Sequence, residues 1–166
     1  YYKRSLEIEP ENANTLGNYA NFLTDIRHEH DKAEEYYKRS LEIEPDNANL
    51  LGNYAGFLLS QGRVDKGFEY LDKAFKLCYR DEVELECQFY MYAHSKDDNK
   101  QKDSLTKIKE LIESDVKSPH WNLDNNVNRA IKDGHPEPEF LKALAKVITD
   151  ELDVKELDKF DVWNKL

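Results

Sequence analysis

Residues 1–23, YYKRSLEIEPENANTLGNYANFL, return as residues 36–58 with only three substitutions, Glu11 to Asp46, Thr15 to Leu50 and Asn21 to Gly56. A third, weaker copy follows at a spacing of 34, where Gly67, Tyr70, Lys73 and Ala74 take the places of Ala33, Tyr36, Arg39 and Ser40. Self-similarity at such a period marks a solenoid, in which each unit buries its apolar face only against its neighbours. One long surface is left free, which points to binding rather than to chemistry.

Within a unit, Leu16, Tyr19, Ala20, Leu23 and Ile26 recur three and four residues apart, which predicts an amphipathic helix over about 12–25. Its counterpart runs over about 47–61. Each follows a proline, Pro10 or Pro45, with Asn or Asp at hand to cap the free amides, and Gly62 supplies a stop for the second. Second helices follow over about 31–43 and 65–77, carrying small residues such as Ala33, Gly67 and Ala74 where two helices must approach. In the third unit Leu85, Phe89 and Tyr92 keep the first helix. A long turn, SKDDNKQKD, then precedes a second helix over about 104–114 with a stripe of Leu105, Ile108, Leu111 and Ile112.

This helix–turn–helix unit resembles the tetratricopeptide repeat. In the second unit the family's bulky, small and bulky first-helix positions match Leu51, Ala55 and Leu58, and its turn glycine matches Gly62. The second-helix positions match Gly67, Tyr70 and Ala74, and Pro45 closes the unit before. The first unit holds Leu16, Ala20, Leu23, Arg27, Ala33, Tyr36 and Ser40 at the same places, but its turn IRHEHD carries one extra residue and no glycine. The resemblance covers residues 1–115: a lone second helix at 1–9, then units at about 11–44, 46–77 and 80–115. It implies an all-α superhelix. Residues 116–166, with helices expected at about 124–133 and 138–151 and a short last one, form a helical C-terminal cap over the final apolar face. Trp121 and Trp163 could alternatively build a docking module there. The unaccompanied helix at 1–9 leaves Tyr1, Tyr2 and Leu6 as a surface for self-association.

A net charge of −10 and basic pairs such as Lys38–Arg39 set among Glu34, Glu35, Glu42 and Glu44 argue against a nucleic-acid partner. No apolar run approaches the roughly 20 residues that cross a bilayer. Cys78 and Cys87 are the two cysteines, and a polar chain with two unclustered thiols is expected in a reduced, cytoplasmic setting. No nucleophile motif, phosphate loop or paired-carboxylate pocket is legible, so neither an enzyme nor a cofactor is expected. His28 and His30 in RHEHD read as a solvated turn rather than a metal site, and DDNKQKD lacks the glycine and closing Glu of a calcium loop.

In the family, first helices line the concave face. The resemblance therefore offers Asn14, Gly17, Asn18, Asn21 and Asp25 from the first unit and Asn49, Gly52, Asn53, Gly56 and Ser60 from the second. The third adds Val83, Glu86, Cys87, Tyr90 and His94. Asn side chains offer the donors and acceptor of a peptide group, so a ladder of them can hold an extended backbone without reading its sequence. Family members with such a ladder present it at the places of Asn18 and Asn53. The expected ligand residues are Asn14, Asn18, Asn21, Asn49, Asn53, Glu86 and Tyr90, whereas Asn12 and Asn47 are expected to cap helices. Gly17, Gly52 and Gly56 serve either close approach of a ligand backbone or tight helix packing. Members that grip a C-terminal carboxylate use basic residues that Gly17, Asn21, Asn53, Val83 and Cys87 do not supply. The expected function is a non-enzymatic scaffold for a protein or peptide segment; the alternatives are the recruiting end of a larger enzyme and a self-assembly module.

Overall fold

The first two repeats each begin on a proline-directed turn closed by an asparagine. The Asn12 side chain accepts the Thr15 amide at 2.8 Å and donates to Glu9 at 2.9 Å; Asn47 likewise accepts the Leu50 amide at 3.2 Å and donates to Glu44 at 2.6 Å. Both are helix caps, as their position predicts. The computed structural model describes residues 2–166, so the Tyr1 end of the expected 1–9 helix lies outside the described residues. The elements are α1 (Tyr2–Ile8), α2 (Ala13–Phe22), α3 (His30–Ile43), α4 (Ala48–Ser60), α5 (Val64–Leu77), α6 (Asp81–His94), α7 (Asp98–Glu113), α8 (Asp124–Lys132), α9 (Pro138–Ile148) and α10 (Asp161–Asn164). Among the described residues there is no strand, and the fold is the expected all-α repeat array.

Helices pair as α2 with α3, α4 with α5 and α6 with α7. The seams repeat as faithfully as the sequence does. Tyr19 meets Tyr36 edge-on at 4.8 Å between ring centroids, and Tyr54 meets Tyr70 in the same way at 4.7 Å. Tyr2 against Tyr19 and Tyr37 against Tyr54 repeat a second contact, at 5.6 and 5.5 Å. Such pairs contribute about 0.5–1.5 kcal/mol each beyond buried area. Glu34 on α3 binds α5's lead-in through Arg63, whose Nη1 and Nη2 donate at 2.6 and 3.1 Å, and takes the Tyr54 hydroxyl at 3.0 Å. The Arg63 fork holds the Glu34 carboxyl down at about 2.

The extra residue of the first turn is absorbed by a π-helical turn, Leu23–Arg27. His28 then takes a left-handed conformation at φ 54°, the role Gly62 plays at φ 75°. The Glu29 amide bonds the Leu23 carbonyl at 3.0 Å and the Arg63 amide bonds the Leu58 carbonyl at 2.9 Å, so the insertion is confined between anchors equivalent in the two units. Two readings of the sequence are corrected here. His28, not Arg27, stands opposite Gly62, and Ile26 leaves the buried stripe at 63% exposure because the widened turn rotates it outward. An L-residue in the left-handed region costs about 1 kcal/mol. His28→Gly is expected to stabilise the chain by about 0.5–1 kcal/mol in urea unfolding, the gain being trimmed by glycine's greater freedom when unfolded; a loss of stability would count against this account.

The long turn of the third unit is also shorter than expected. Asp97 accepts the Asn99 and Lys100 amides at 2.9 and 3.2 Å and starts α7 at Asp98, and Gln101 donates to the carbonyls of Tyr92, in the last turn of α6, and of Ser95, which follows that helix. Beyond α7, Leu141, Leu144, Ala145 and Ile148 of α9 are buried with Phe140 beside them. Phe140 touches Tyr92, Phe160 and Trp163 at 6.0, 5.4 and 6.2 Å, and Trp163 is 3% exposed.

Candidate peptide-binding groove

The first helices α2, α4 and α6 share one face, and α8 lies on it against α4 and α6. Leu123, Val127 and Ala130, spaced four and three apart, are the buried stripe of that helix. Burying the Leu and Val side chains alone contributes about 3–6 kcal/mol, which makes α8 a fixed wall and not a removable lid. Polar ties complete it. Asn125 donates to Asp25 at 2.9 Å, His94 Nε2 lies 2.8 Å from Asn126 Oδ1, and Lys96 donates to the Asp133 carbonyl at 2.9 Å. Burial pushes His94 down to about 4, so the ring in this bond is neutral.

The covering helix divides the seven expected ligand residues into two groups and leaves one outside both. Asn14 and Asn49, with Val83 at the equivalent place of the third unit, line an open cleft of about 500 Å³ that also meets the turns at Pro45 and Tyr79. Asn14 is exposed and Asn49 half-buried. Asn21, Asn53, Glu86 and Tyr90 instead line a cavity of about 100 Å³ between the first-helix face and the segment Trp121–Asn126. There Asn53, Glu86 and Tyr90 are buried, and half-buried Asn21 accepts the Tyr37 hydroxyl at 2.6 Å. Asn18 is exposed and lines neither space.

Packing crowds two of the three first-helix glycines, Gly17 and Gly56, while Gly52 has room for ordinary contact. A side-chain carbon at Gly56 would stand 2.5 Å from the Tyr90 ring; at Gly17 it would collide with Leu50, and at Gly52 it would touch Cys87 Sγ. In the cavity, Glu86 Oε1 accepts the Tyr90 hydroxyl at 2.6 Å, while Oε2 is buried without a hydrogen-bond partner. Burial pushes Glu86 up to about 8, against the pull of the Tyr90 bond, and pushes Asp25 up to about 6.

Residues 26–76 match the family model of the tetratricopeptide repeat, and that stretch carries the repeat. Repeats of this family mediate protein–protein interaction and are not themselves enzymes. No curated protein and no solved structure matches the chain. No described helix is long and apolar enough to cross a membrane, and the described residues hold no cluster of three or more His, Cys, Asp or Glu suited to a metal.

Sequence reasoning offered Asp25 without its Asn125 partner, and it expected the helix over 124–133 in the cap on the final apolar face rather than across the first-helix face. The available signal was α8's own stripe of Leu123, Val127 and Ala130, which needs a wall to pack on, together with polar Glu86 and His94 on the helix that provides it.

Proposed function

We propose that the protein is a non-enzymatic interaction module that takes an extended protein segment along the open part of its first-helix face. The observation that carries this is the cleft of about 500 Å³ in which Asn14, Asn49 and Val83, one position repeated in three successive units, stand in line. Repeated carboxamides one unit apart suit a peptide backbone, whose donors and acceptors also repeat, and Asn18 beside them is free to join. Asn21, Asn53, Glu86 and Tyr90 serve the same segment where it passes the mouth of the small cavity. The net charge of −10 favours neutral or basic segments. Each lost carboxamide bond removes about 0.5–1.5 kcal/mol. Asn14→Ala with Asn49→Ala is therefore expected to weaken a peptide selected by display on the immobilised chain by about tenfold, with helicity by circular dichroism unchanged. Failure to select any peptide, or selected peptides indifferent to the double substitution, would sink the reading.

A further inference from the structure

The cavity beneath Trp121 and Asn125 is unlike an ordinary packing gap. Two carboxyls from different repeats, Asp25 and Glu86, line it, with the Asn53 carboxamide between units, and neither Lys nor Arg lines it. Buried polar atoms are normally satisfied, yet Glu86 Oε2 has no partner among the described residues. Carboxyls held in this way lack a donor of positive charge. At about 100 Å³ the space admits roughly three waters, or a short alkyl stem bearing one small polar head.

We propose that this cavity is a binding site for a primary ammonium group, held by Glu86 Oε2, the Asp25 carboxylate and the Asn53 carbonyl oxygen. An ammonium carries three donors and no acceptor, which matches three oxygens in one small space, and its charge displaces to solvent the proton that burial otherwise keeps on Glu86. Among the described residues no three His, Cys, Asp or Glu are grouped to hold a metal, and two carboxyls are a poor set for a divalent ion, which commonly takes six to eight oxygens in the case of calcium. Asn122 and His120 at the cavity are exposed, so the group can enter from the side on which the segment of the proposed function would lie. That orientation rests on the interaction-module reading; the ammonium site itself does not. The source is either a free amine or a lysine side chain of the bound segment.

The test is nuclear magnetic resonance of the ¹⁵N-labelled full chain, following the Trp121 indole and the Asn53 and Asn125 side-chain amides. Butylammonium chloride is expected to shift them where equal potassium chloride does not, and Glu86→Gln or Asp25→Asn should weaken the effect about tenfold or more. Nα-acetyl-lysine amide acting like butylammonium assigns the source to a side chain; butylammonium acting alone assigns it to a free amine. No shift with either amine, equal shifts in both variants, or a response to calcium chloride instead overturns the site. A display-selected peptide that binds equally well with its lysines acetylated overturns its use by the segment while leaving the module reading intact, and amine binding with no selectable peptide does the reverse.

Discussion

Glu86→Gln is expected to stabilise the chain above neutral pH, by about 2–5 kcal/mol at pH 8.5. Burial raises the folded carboxyl from 4.5 to about 8, so between those values the folded state keeps a proton that the unfolded state has lost. Stability linked to this group is complete below about pH 4.5 and declines by up to about 1.4 kcal/mol per pH unit as pH rises through the folded value. Asp25, raised from 3.8 to about 6, adds a loss of the same sign over a narrower pH window and so a smaller total. Gln keeps an acceptor for the Tyr90 hydroxyl and carries no charge to bury. Urea unfolding of both proteins at pH 5 and 8.5 measures the effect: the difference should be small at pH 5 and large at pH 8.5. A variant that is less stable at both would show that Glu86 is charged and satisfied in the fold. A residue that weakens the molecule at working pH is one that the molecule keeps for another reason, and the ammonium site supplies one.

Phe140→Ala should cost about 3–5 kcal/mol, the range for emptying a fully enclosed aromatic position. Phe140 is 1% exposed and joins α6, α9 and α10 through Tyr92, Phe160 and Trp163. Removing it leaves the end of the array and its last two aromatic anchors without a common centre. Thermal and urea unfolding should show a lower midpoint with helicity of the folded state retained; a cost below about 1 kcal/mol would mean the site collapses around the void and the cap does not depend on it.

What the sequence disclosed is largely the seams, because Tyr19, Ala20, Ala33 and Tyr36 and their copies must meet wherever the repeat recurs. The insertion in IRHEHD was countable from residue spacing, but its absorption by a π turn with His28 left-handed was not, since both Arg27 and His28 are plausible opposite Gly62. The start of α7 was missed because seven polar residues look like a loop until Asp97 is seen to cap them. The candidate groove was harder. Asn18 and Asn53 lie in identical local sequence, Gly-Asn-Tyr-Ala, yet one is exposed and the other 8% exposed. Local sequence decides where a side chain points, whereas a helix some seventy residues later decides whether it meets solvent. No repeat pattern contains that information.

The covering helix also changes what kind of mechanical object the array is. A solenoid whose units touch only their neighbours behaves like a spring, able to stretch, twist or unravel one coil at a time. Here the segment around α8 is fastened at Asp25 in the first unit, packs on α4 in the second and is bonded at His94 in the third. It is a strut across three coils. These ties oppose independent movement of the three units, which are therefore expected to melt together rather than in sequence.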